Sequence, residues 1–323
     1  VGMTVDPVDA YAWGWEEVRE VLDQMAQLCE QIRPGATLPE VVGVLEHDPE
    51  CAAPDAAAFI RFVEERQASA LANLDGVHFD VPSAGRHVTI SLAPPGGPPG
   101  AYYVPPSEDF SRPGSIWYSI EDPDAPRPLY QEVSTAYHEG FPGHHLQLAT
   151  SLAARDRLSR YQRLWVWYPG LGEGWALYTE RLMAELGYFE KPEYVLGMLA
   201  NGLFRAVRVV VDLGLHLGFE IPASAPIDGG ESWSFERAVS YMQDVALQPP
   251  GYAESEVLRY LGWPGQAISY KLGERELLDI RSRYLTSGGD LRGFHREVLA
   301  HGDIRLDRLR RSMFGHASRD TGK

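Results

Sequence analysis

Three histidines and one glutamate fall within the eight positions from His138 to His145. Neutral imidazole is the commonest side-chain ligand for metals, and a carboxylate beside a liganding histidine can act as the general base of a metal-assisted hydrolase. The usual pattern, His-Glu-x-x-His on a helix, places both imidazoles on one face. Here Pro142 stands at the position of the second histidine. The chain must therefore bring a different histidine to any metal.

The residues after His138 predict a distorted helix. With 3.6 residues per turn, a regular helix returns to its starting face at His145, whereas His144 lies off that face. However, Pro142 lacks an amide proton and Gly143 is conformationally permissive, so the helix should be bulged or broken here. Such a break can bring His144 round to the metal. We take His138 and His144 as ligands, with His145 in reserve; the alternative is a histidine-rich turn that caps a helix.

The third ligand is predicted to be Glu173, which lies 29 positions after His144 between two glycines. Two imidazoles and one carboxylate are the protein ligands of many hydrolytic zinc enzymes. The alternative is a carboxylate favoured in the first turn of a helix by the macrodipole. Glu180 lies two turns further on, on the same face. It either orients a ligand imidazole through a hydrogen bond or is a solvated residue.

Three further residues are candidates for stabilising an oxyanion. Tyr270 shares a helix face with Gln266, and a tyrosine hydroxyl near zinc can donate to a developing negative charge; alternatively, it is a core tyrosine. His216 follows Asp212 by four positions on an apolar helix, either as a pair facing the site or as a structural ion pair. Arg259 is the third candidate. In a hydrolytic reaction, Tyr270 would be assisted by His216 or Arg259.

Composition limits the class of protein and its partners. The chain has 323 residues and a formal net charge of −16, which argues against nucleic acids and anionic membranes as partners. Cys29 and Cys51 are the two cysteines, so neither a disulfide framework nor a thiolate metal cluster is expected. We see no apolar run near the ~20 residues of a membrane span and no signal peptide at the start. We therefore expect a cytoplasmic protein.

Hydrophobic periodicity predicts a single, mainly α-helical domain. A small antiparallel β-sheet is expected beside the helix of the histidine motif. The edge strand of this sheet could hold an extended peptide by main-chain hydrogen bonds, or the sheet is purely structural. The predicted parts are a helical N-terminal part (1–75), the sheet (76–125) and a helical metal-binding core (126–323). Within them we predict strands at 77–81, 87–92, 101–104 and 115–120, a loop at 94–99, and a packed helix at 158–167.

Several stretches together resemble the bacterial domain-of-unknown-function family 885, a group of zinc peptidase-like proteins. The resemblance covers roughly residues 100 to 310 and is carried by Tyr137 to Gln147, Glu173 to Glu180, Arg205 to His216, Glu256 to Gly273 and Phe294 to Leu309. Members of the family are usually longer, with a helical N-terminal portion that this sequence does not show.

The resemblance implies a helical zincin-like metallopeptidase fold, similar to those of carboxypeptidase Taq and thimet oligopeptidase. It implies a zinc ion held by two histidines and one glutamate. The more distant dipeptidyl peptidase III places a glycine before its second ligand histidine, which favours His144 over His145. By the same analogy, Glu139 is the general base and Tyr270 helps to hold the oxyanion.

We therefore expect a metal-dependent hydrolase that cleaves an amide or peptide bond, with Glu139 as the base. Zn²⁺ suits the ligand set, although Fe, Mn or Co could also bind. The substrate would be a peptide or a small amino-acid-like molecule; the sequence does not predict the oligomeric state. One alternative is a metal-dependent hydrolase or lyase that tailors a single small metabolite in a biosynthetic pathway. Another is an inactive metal-bearing binding or scaffold protein.

Overall fold

The computed structural model describes residues 1–96 and 100–315, which form a mainly helical protein with small sheets. This confirms the mainly α prediction. The helices are α1 (Pro7–Ile32), α2 (Leu38–His47), α3 (Ala56–Leu74), α4 (Glu132–Glu139), α5 (His144–Ala153), α6 (Arg160–Leu164), α7 (Pro169–Glu185), α8 (Pro192–Leu217), α9 (Phe235–Ser240), α10 (Pro250–Gly262), α11 (Ser269–Thr286), α12 (Leu291–Ala300) and α13 (Leu306–Phe314). The strands are β1 (Ala52–Ala53), β2 (Val88–Leu92), β3 (Ala101–Val104), β4 (Gly114–Tyr118) and β5 (Arg127–Pro128).

Two pairs of long helices form the frame of the protein: α1 packs along α8, and α7 packs along α11. Helix α1 begins after Asp6, whose carboxylate accepts hydrogen bonds from the backbone N–H groups of Val8 and Asp9. It buries Trp15 and Met25 against the core. The N-terminal helix is thus part of the main core and does not form a separate unit.

Helix α8 is long and apolar enough to cross a membrane by length and composition alone, and it alone meets that test among the described residues. This corrects the expectation that no apolar run approaches span length. In the structure, 67% of its most apolar 18-residue window is buried inside the protein. A helix surrounded by other elements on most sides is apolar around most of its circumference, which explains its composition.

The three-stranded sheet has the order β2-β4-β3, and it is mixed. Strand β3 pairs antiparallel with β4, but β2 pairs parallel with it, with Val88 opposite Gly114. The prediction of an antiparallel sheet was therefore wrong for one of its two pairings. Strand propensity does not reveal direction, because both pairings bury the same apolar face. Ile90, Ile116 and Tyr118 of this sheet pack with α3 and with Ala136 of α4, so the sheet lies beside the histidine motif as expected.

The strand predicted at 77–81 is absent, and this segment is a turn that follows α3. The backbone N–H groups of Val77, His78 and Phe79 all donate to the carbonyl of Leu74. Phe79 is fully buried and stacks on His295, with ring centroids 4.5 Å apart. Its apolar character therefore reflects burial in a turn, which a short apolar run does not distinguish from a strand.

The aromatic stretch 158–167 also differs from the prediction, because only Arg160–Leu164 is helical. Tyr161 and Trp165 are exposed, so this is not a packed helix. A capping box formed by Ser159 and Gln162 marks the start of this helix, and the chain leaves the helix at Trp165. In the predicted loop at 94–99, residues 97–99 lie outside the described part of the chain.

Candidate metal centre

The histidine motif folds as two helices with a sharp break between them. Helix α4 ends at Glu139 and α5 begins at His144. Across the break, the N–H of Gly143 donates to the carbonyl of Tyr137 at 3.1 Å. A Cβ atom at Gly143 would lie 2.0 Å from the His138 carbonyl oxygen, so only glycine fits this close approach. The predicted distortion is therefore present, as a complete interruption of the helix.

Gln67, which the sequence analysis did not single out, holds this break from α3. Its side-chain amide donates to the Ala136 carbonyl at 2.8 Å, and its side-chain oxygen accepts the Phe141 N–H at 2.6 Å. Gln67 is 5% exposed. A polar residue on an otherwise buried helix face was the available signal, since buried polar groups need partners. Its two partners lie about 70 positions away and are not visible in the sequence.

His138, His144 and Glu173 converge in one place. Oε2 of Glu173 lies 3.5 Å from Nε2 of His138 and 3.3 Å from Nε2 of His144. One donor atom from each of the three residues falls within 4.8 Å of the others. The two imidazoles meet edge to face, with ring centroids 4.8 Å apart. The structure thus brings together the three residues predicted as ligands.

Glycines bring the helix that carries Glu173 close to its neighbour. Helix α7 packs against α11 where Gly174 meets Gly273. A Cβ atom at Gly174 would lie 2.5 Å from the carbonyl carbon of Gly273, and one at Gly273 would lie 2.0 Å from the Gly170 oxygen. No side chain fits between these backbones. The glycine positions therefore set how far Glu173 reaches towards the two histidines.

Glu180 lies behind His138, on the side away from Glu173. Its Oε1 is 2.7 Å from Nδ1 of His138, and its other oxygen accepts a hydrogen bond from Ser134. Arg205 approaches Oε1 at 3.8 Å. A carboxylate bonded to one imidazole nitrogen fixes the ring and makes the other nitrogen a better metal ligand. Of the two readings of Glu180, the structure therefore supports the one in which it orients an imidazole.

The acid–base properties of the cluster reflect its burial and its mutual contacts. Burial opposes a charge on His138, but hydrogen bonds with Glu173 and Glu180 outweigh this effect and raise its pKa to about 9. Burial also opposes ionisation of Glu173, yet the two imidazoles hold its pKa well below the usual range. Glu173 is thus kept in the ionised form that a metal requires. A cation would compete with a proton on His138.

Glu139 is predicted to be the general base, and it lies at the end of α4 beside this cluster. Burial raises the pKa of its carboxyl group, while the nearby charges of His138 and His144 act in the opposite direction. An elevated carboxyl pKa brings a base closer to the working pH and so favours proton transfer.

His145, the reserve ligand, has both ring nitrogens engaged elsewhere. Nδ1 lies 2.8 Å from the Tyr103 hydroxyl, and Nε2 lies 3.0 Å from the Gly85 carbonyl. Burial lowers its pKa to about 4, so the ring is neutral. His145 therefore connects α5 to the sheet. It does not join the triad formed by His138, His144 and Glu173.

The three candidates for oxyanion stabilisation are placed differently. Tyr270 is close enough to the cluster for Glu173 to act on it: burial, and then the charge of Glu173, raise the pKa of its hydroxyl. Arg259 instead donates to Glu256 at 3.1 and 2.9 Å. His216 lies 3.1 Å from the Tyr260 carbonyl oxygen through Nε2. Among the three, Tyr270 is the one that the structure relates to the triad.

Almost the whole described chain corresponds to one known family. The model of a bacterial protein of unknown function, DUF885, matches residues 1–313. The chain belongs to DUF885. The resemblance seen in the sequence is thereby confirmed at the level of the family. No curated protein matches this DUF885 chain significantly.

Two solved structures share the fold of this DUF885 protein. One, from Colwellia psychrerythraea, is 30% identical and superposes with a TM-score of 0.81 over 96% of this chain and 52% of its own. The other, from Shewanella oneidensis, is 21% identical, with a TM-score of 0.75 over 97% of this chain and 57% of its own. Both are described as a "putative lipoprotein", the second of unknown function. The DUF885 chain thus spans little more than half the length of either protein.

The donor set of this DUF885 protein fits a divalent metal ion. Neighbouring ligand atoms of a tetrahedral zinc site lie about 3.3 Å apart when the metal–ligand bonds are ~2.0–2.1 Å long. The two distances from Glu173 Oε2 to the imidazole nitrogens, 3.5 and 3.3 Å, are close to this spacing. His138, His144 and Glu173 would hold such an ion and leave one position open for water or substrate.

Proposed function

We propose that this protein is a metal-dependent hydrolase that cleaves an amide or peptide bond. The observation that supports this proposal best is the convergence of two Nε2 atoms and one carboxylate oxygen within 4.8 Å. The carboxylate of Glu139 follows directly after the first of these ligands, in the position of a general base. Three protein ligands with an open fourth position are typical of catalytic zinc sites.

In the proposed reaction, each of the neighbouring residues has a role that follows from its position. A bound Zn²⁺ would polarise the amide carbonyl and lower the pKa of water. Glu139 accepts a proton from the attacking water as the new C–O bond forms. It passes that proton to the leaving nitrogen as the C–N bond breaks, so that water is consumed and an acid and an amine are released. Tyr270 donates a hydrogen bond to the oxyanion that forms between these steps.

The helical zincin-like metallopeptidase fold is part of the same proposal. It is supported by the break between α4 and α5, which carries one imidazole on each side, and by a third ligand from the following long helix. The two matching structures share the fold of the chain, and their descriptions give no activity.

The test of the proposal is Glu139→Gln, which keeps the size of the side chain and removes the base. Elemental analysis of the wild-type protein should first find one divalent metal per chain, with zinc expected ahead of Fe, Mn or Co. The variant should retain that metal and lose at least ~10²-fold in turnover on a library of peptides and simple amides. Glu297→Gln, an exposed change on α12, is the matched control and should behave as wild type. Undiminished turnover by the Glu139 variant would falsify the mechanism.

A narrower candidate is a tailoring hydrolase or lyase for one small amino-acid-like metabolite. Buried charged groups near the triad favour this candidate. Arg205 lies 3.8 Å from Glu180, and Arg208 lies three positions further along α8. Such groups suit a small charged substrate better than a long peptide chain. Cleavage confined to one small molecule, with peptides left intact, would support this candidate over a peptidase. Elimination without uptake of water would identify a lyase.

The location of the protein is also a proposal. The expectation of a cytoplasmic protein stands against the description of both matching structures as a "putative lipoprotein", which suggests attachment to a membrane. Separation of soluble and membrane fractions from cells that express the natural gene would decide between them. Recovery in the membrane fraction would overturn the cytoplasmic proposal.

A further inference from the structure

Arg205 is a largely buried cation with few partners. It lies on α8, and its side chain is 14% exposed. Its Nη1 donates to the Asn201 carbonyl at 3.1 Å, while its Nε is buried without a hydrogen-bond partner among the described residues. A guanidinium carries five N–H donors, and a buried donor left unpaired is costly. Arg205 therefore has donors to offer to a further group.

The nearest carboxylate does not use these donors. Glu180 lies 3.8 Å from Nη2 of Arg205, which is too long for a hydrogen bond. Both of its oxygens are already engaged, one by His138 and the other by Ser134. Arg205 thus neutralises part of the charge of Glu180 without being paired by it.

The other two arginines nearby are better satisfied. Arg208 donates to Glu256 at 2.7 Å and to the Tyr260 hydroxyl at 3.1 Å. Arg259 donates to the same carboxylate at 3.1 and 2.9 Å. Two guanidinium groups therefore share one carboxylate, so Arg208, Arg259 and Glu256 together carry one net positive charge in a protein with a net charge of −16. A local positive field of this kind attracts anionic ligands.

Arg205 also lies next to the proposed reaction centre. Glu180 contacts both Arg205 and the ligand imidazole of His138. The ring of Tyr270 lies 6.0 Å from the Arg205 guanidinium carbon and 4.9 Å from that of Arg208. An anion bound by Arg205 would thus lie beside the residue that we assign to the oxyanion.

We propose that Arg205 binds a free carboxylate of the substrate. The substrate class is then an N-acyl amino acid, or a peptide cleaved at its last bond, in which the carboxylate lies one carbon from the scissile nitrogen. This inference rests on the proposed function. Hydrolysis adds water across the C–N bond, and the amino acid released carries away the carboxylate held by Arg205. A planar guanidinium pairs with a carboxylate through two parallel hydrogen bonds, which gives both orientation and affinity.

The first test is equilibrium binding, measured by calorimetry on the metal-loaded Glu139→Gln protein so that the probes stay intact. The probes are N-acetylated amino acids with apolar, acidic and basic side chains, together with their carboxamides. The free acids should bind on the order of 10- to 100-fold more tightly than the matching amides. Adding Arg205→Gln should remove this difference, and Arg205→Lys should restore part of it by keeping the charge without the planar fork.

Arg281→Gln is the matched control, because that side chain is 17% exposed, similar to Arg205, but donates to both carboxylate oxygens of Glu185. It should leave the preference for free acids unchanged. Thermal unfolding and metal content of each variant identify any loss of structure. If Arg205→Gln does not fold, Arg205→Lys carries the test. Equal binding of free acids and carboxamides by the Glu139→Gln protein would overturn the inference.

Steady-state kinetics on wild-type and Arg205 variants provides the second test. We expect Arg205→Gln to raise KM for free acids and to leave carboxamide substrates nearly unaffected. An equal fall in kcat for both substrates would place Arg205 on the transition state and overturn the carboxylate assignment. Binding that depends on Arg205 without any hydrolysis would reject the proposed function and leave only the assignment of Arg205 to carboxylate binding. Hydrolysis with no preference for free acids would do the reverse.

Discussion

The Nδ1 atom of His138 lies 2.7 Å from Oε1 of Glu180, with both side chains buried. This contact turns the opposite nitrogen of the ring towards Glu173. We expect Glu180→Gln to weaken metal binding by about 10- to 100-fold, because the amide no longer supplies the negative charge that makes the imidazole a stronger ligand. Competition with a chelator of known affinity measures the effect. Glu173→Gln should abolish tight binding altogether, and unchanged affinity in the Glu180 variant would contradict this role.

The two adjacent histidines of α5 should separate into a ligand and a structural residue. His144→Ala should lose the metal, because it removes one of the three converging donors. His145→Ala should retain the metal but lose on the order of 1–3 kcal/mol of stability, since it removes buried hydrogen bonds to Tyr103 and Gly85. Elemental analysis and denaturant unfolding of each variant provide the two measurements. Loss of metal from the His145 variant alone would reverse the assignment.

The convergence of His138, His144 and Glu173 could be predicted because the chemistry of these residues is local. His138 and His144 come from one stretch, and the helix break between them follows from Pro142 and Gly143. Glu173 could be predicted because it is a carboxylate flanked by glycines on the next long helix. The groups that hold these residues in place come from distant parts of the chain, as Gln67 does. The sequence does not record which remote segments pack together, so these supports could not be predicted.

The sequence predicted secondary structure correctly where hydrophobic periodicity is strong. It predicted secondary structure wrongly where a short apolar run was the only signal. The helical N-terminal part predicted at 1–75 contains α1, α2 and α3, and α1 alone spans 26 residues. In contrast, Phe79 is buried in a turn and Trp165 is exposed, although both lie in apolar or aromatic stretches. The parallel pairing of β2 with β4 could not be predicted either, because pairing direction depends on the path of the chain between the strands.

Two glycine-to-alanine substitutions, one in the contact between α7 and α11 and one in α8, should have opposite effects on stability. Gly174→Ala places a methyl group 2.5 Å from the Gly273 backbone, so we expect a loss of about 1–3 kcal/mol and weaker metal binding through displacement of Glu173. Gly202→Ala lies inside α8 with nothing within 4 Å of its added methyl group. It should stabilise the protein by about 0.4–1 kcal/mol. Denaturant unfolding of both variants measures the difference, and equal effects would contradict the packing argument.

The buried carboxyl group of Asp303 makes stability depend on pH. One oxygen accepts the Tyr168 N–H at 2.9 Å, at the start of the helix that carries Glu173, and the other is buried without a partner among the described residues. Burial, with a further contribution from the charge of Glu173, raises the pKa of Asp303 to about 8. In the unfolded chain this pKa is about 3.9. The folded protein therefore binds this proton more tightly than the unfolded chain does.

Since the folded pKa is the higher one, the stability contributed by protonated Asp303 is complete below about pH 4 and is lost as the pH rises towards about 8. Asp303→Asn keeps the acceptor for Tyr168 and cannot ionise. In metal-free protein, the variant should gain on the order of 1–3 kcal/mol over wild type at pH 8.5 and little at pH 5. Denaturant unfolding from pH 5 to 9 provides the measurement. If the two proteins lose stability in parallel across this range, a group other than Asp303 controls the pH dependence.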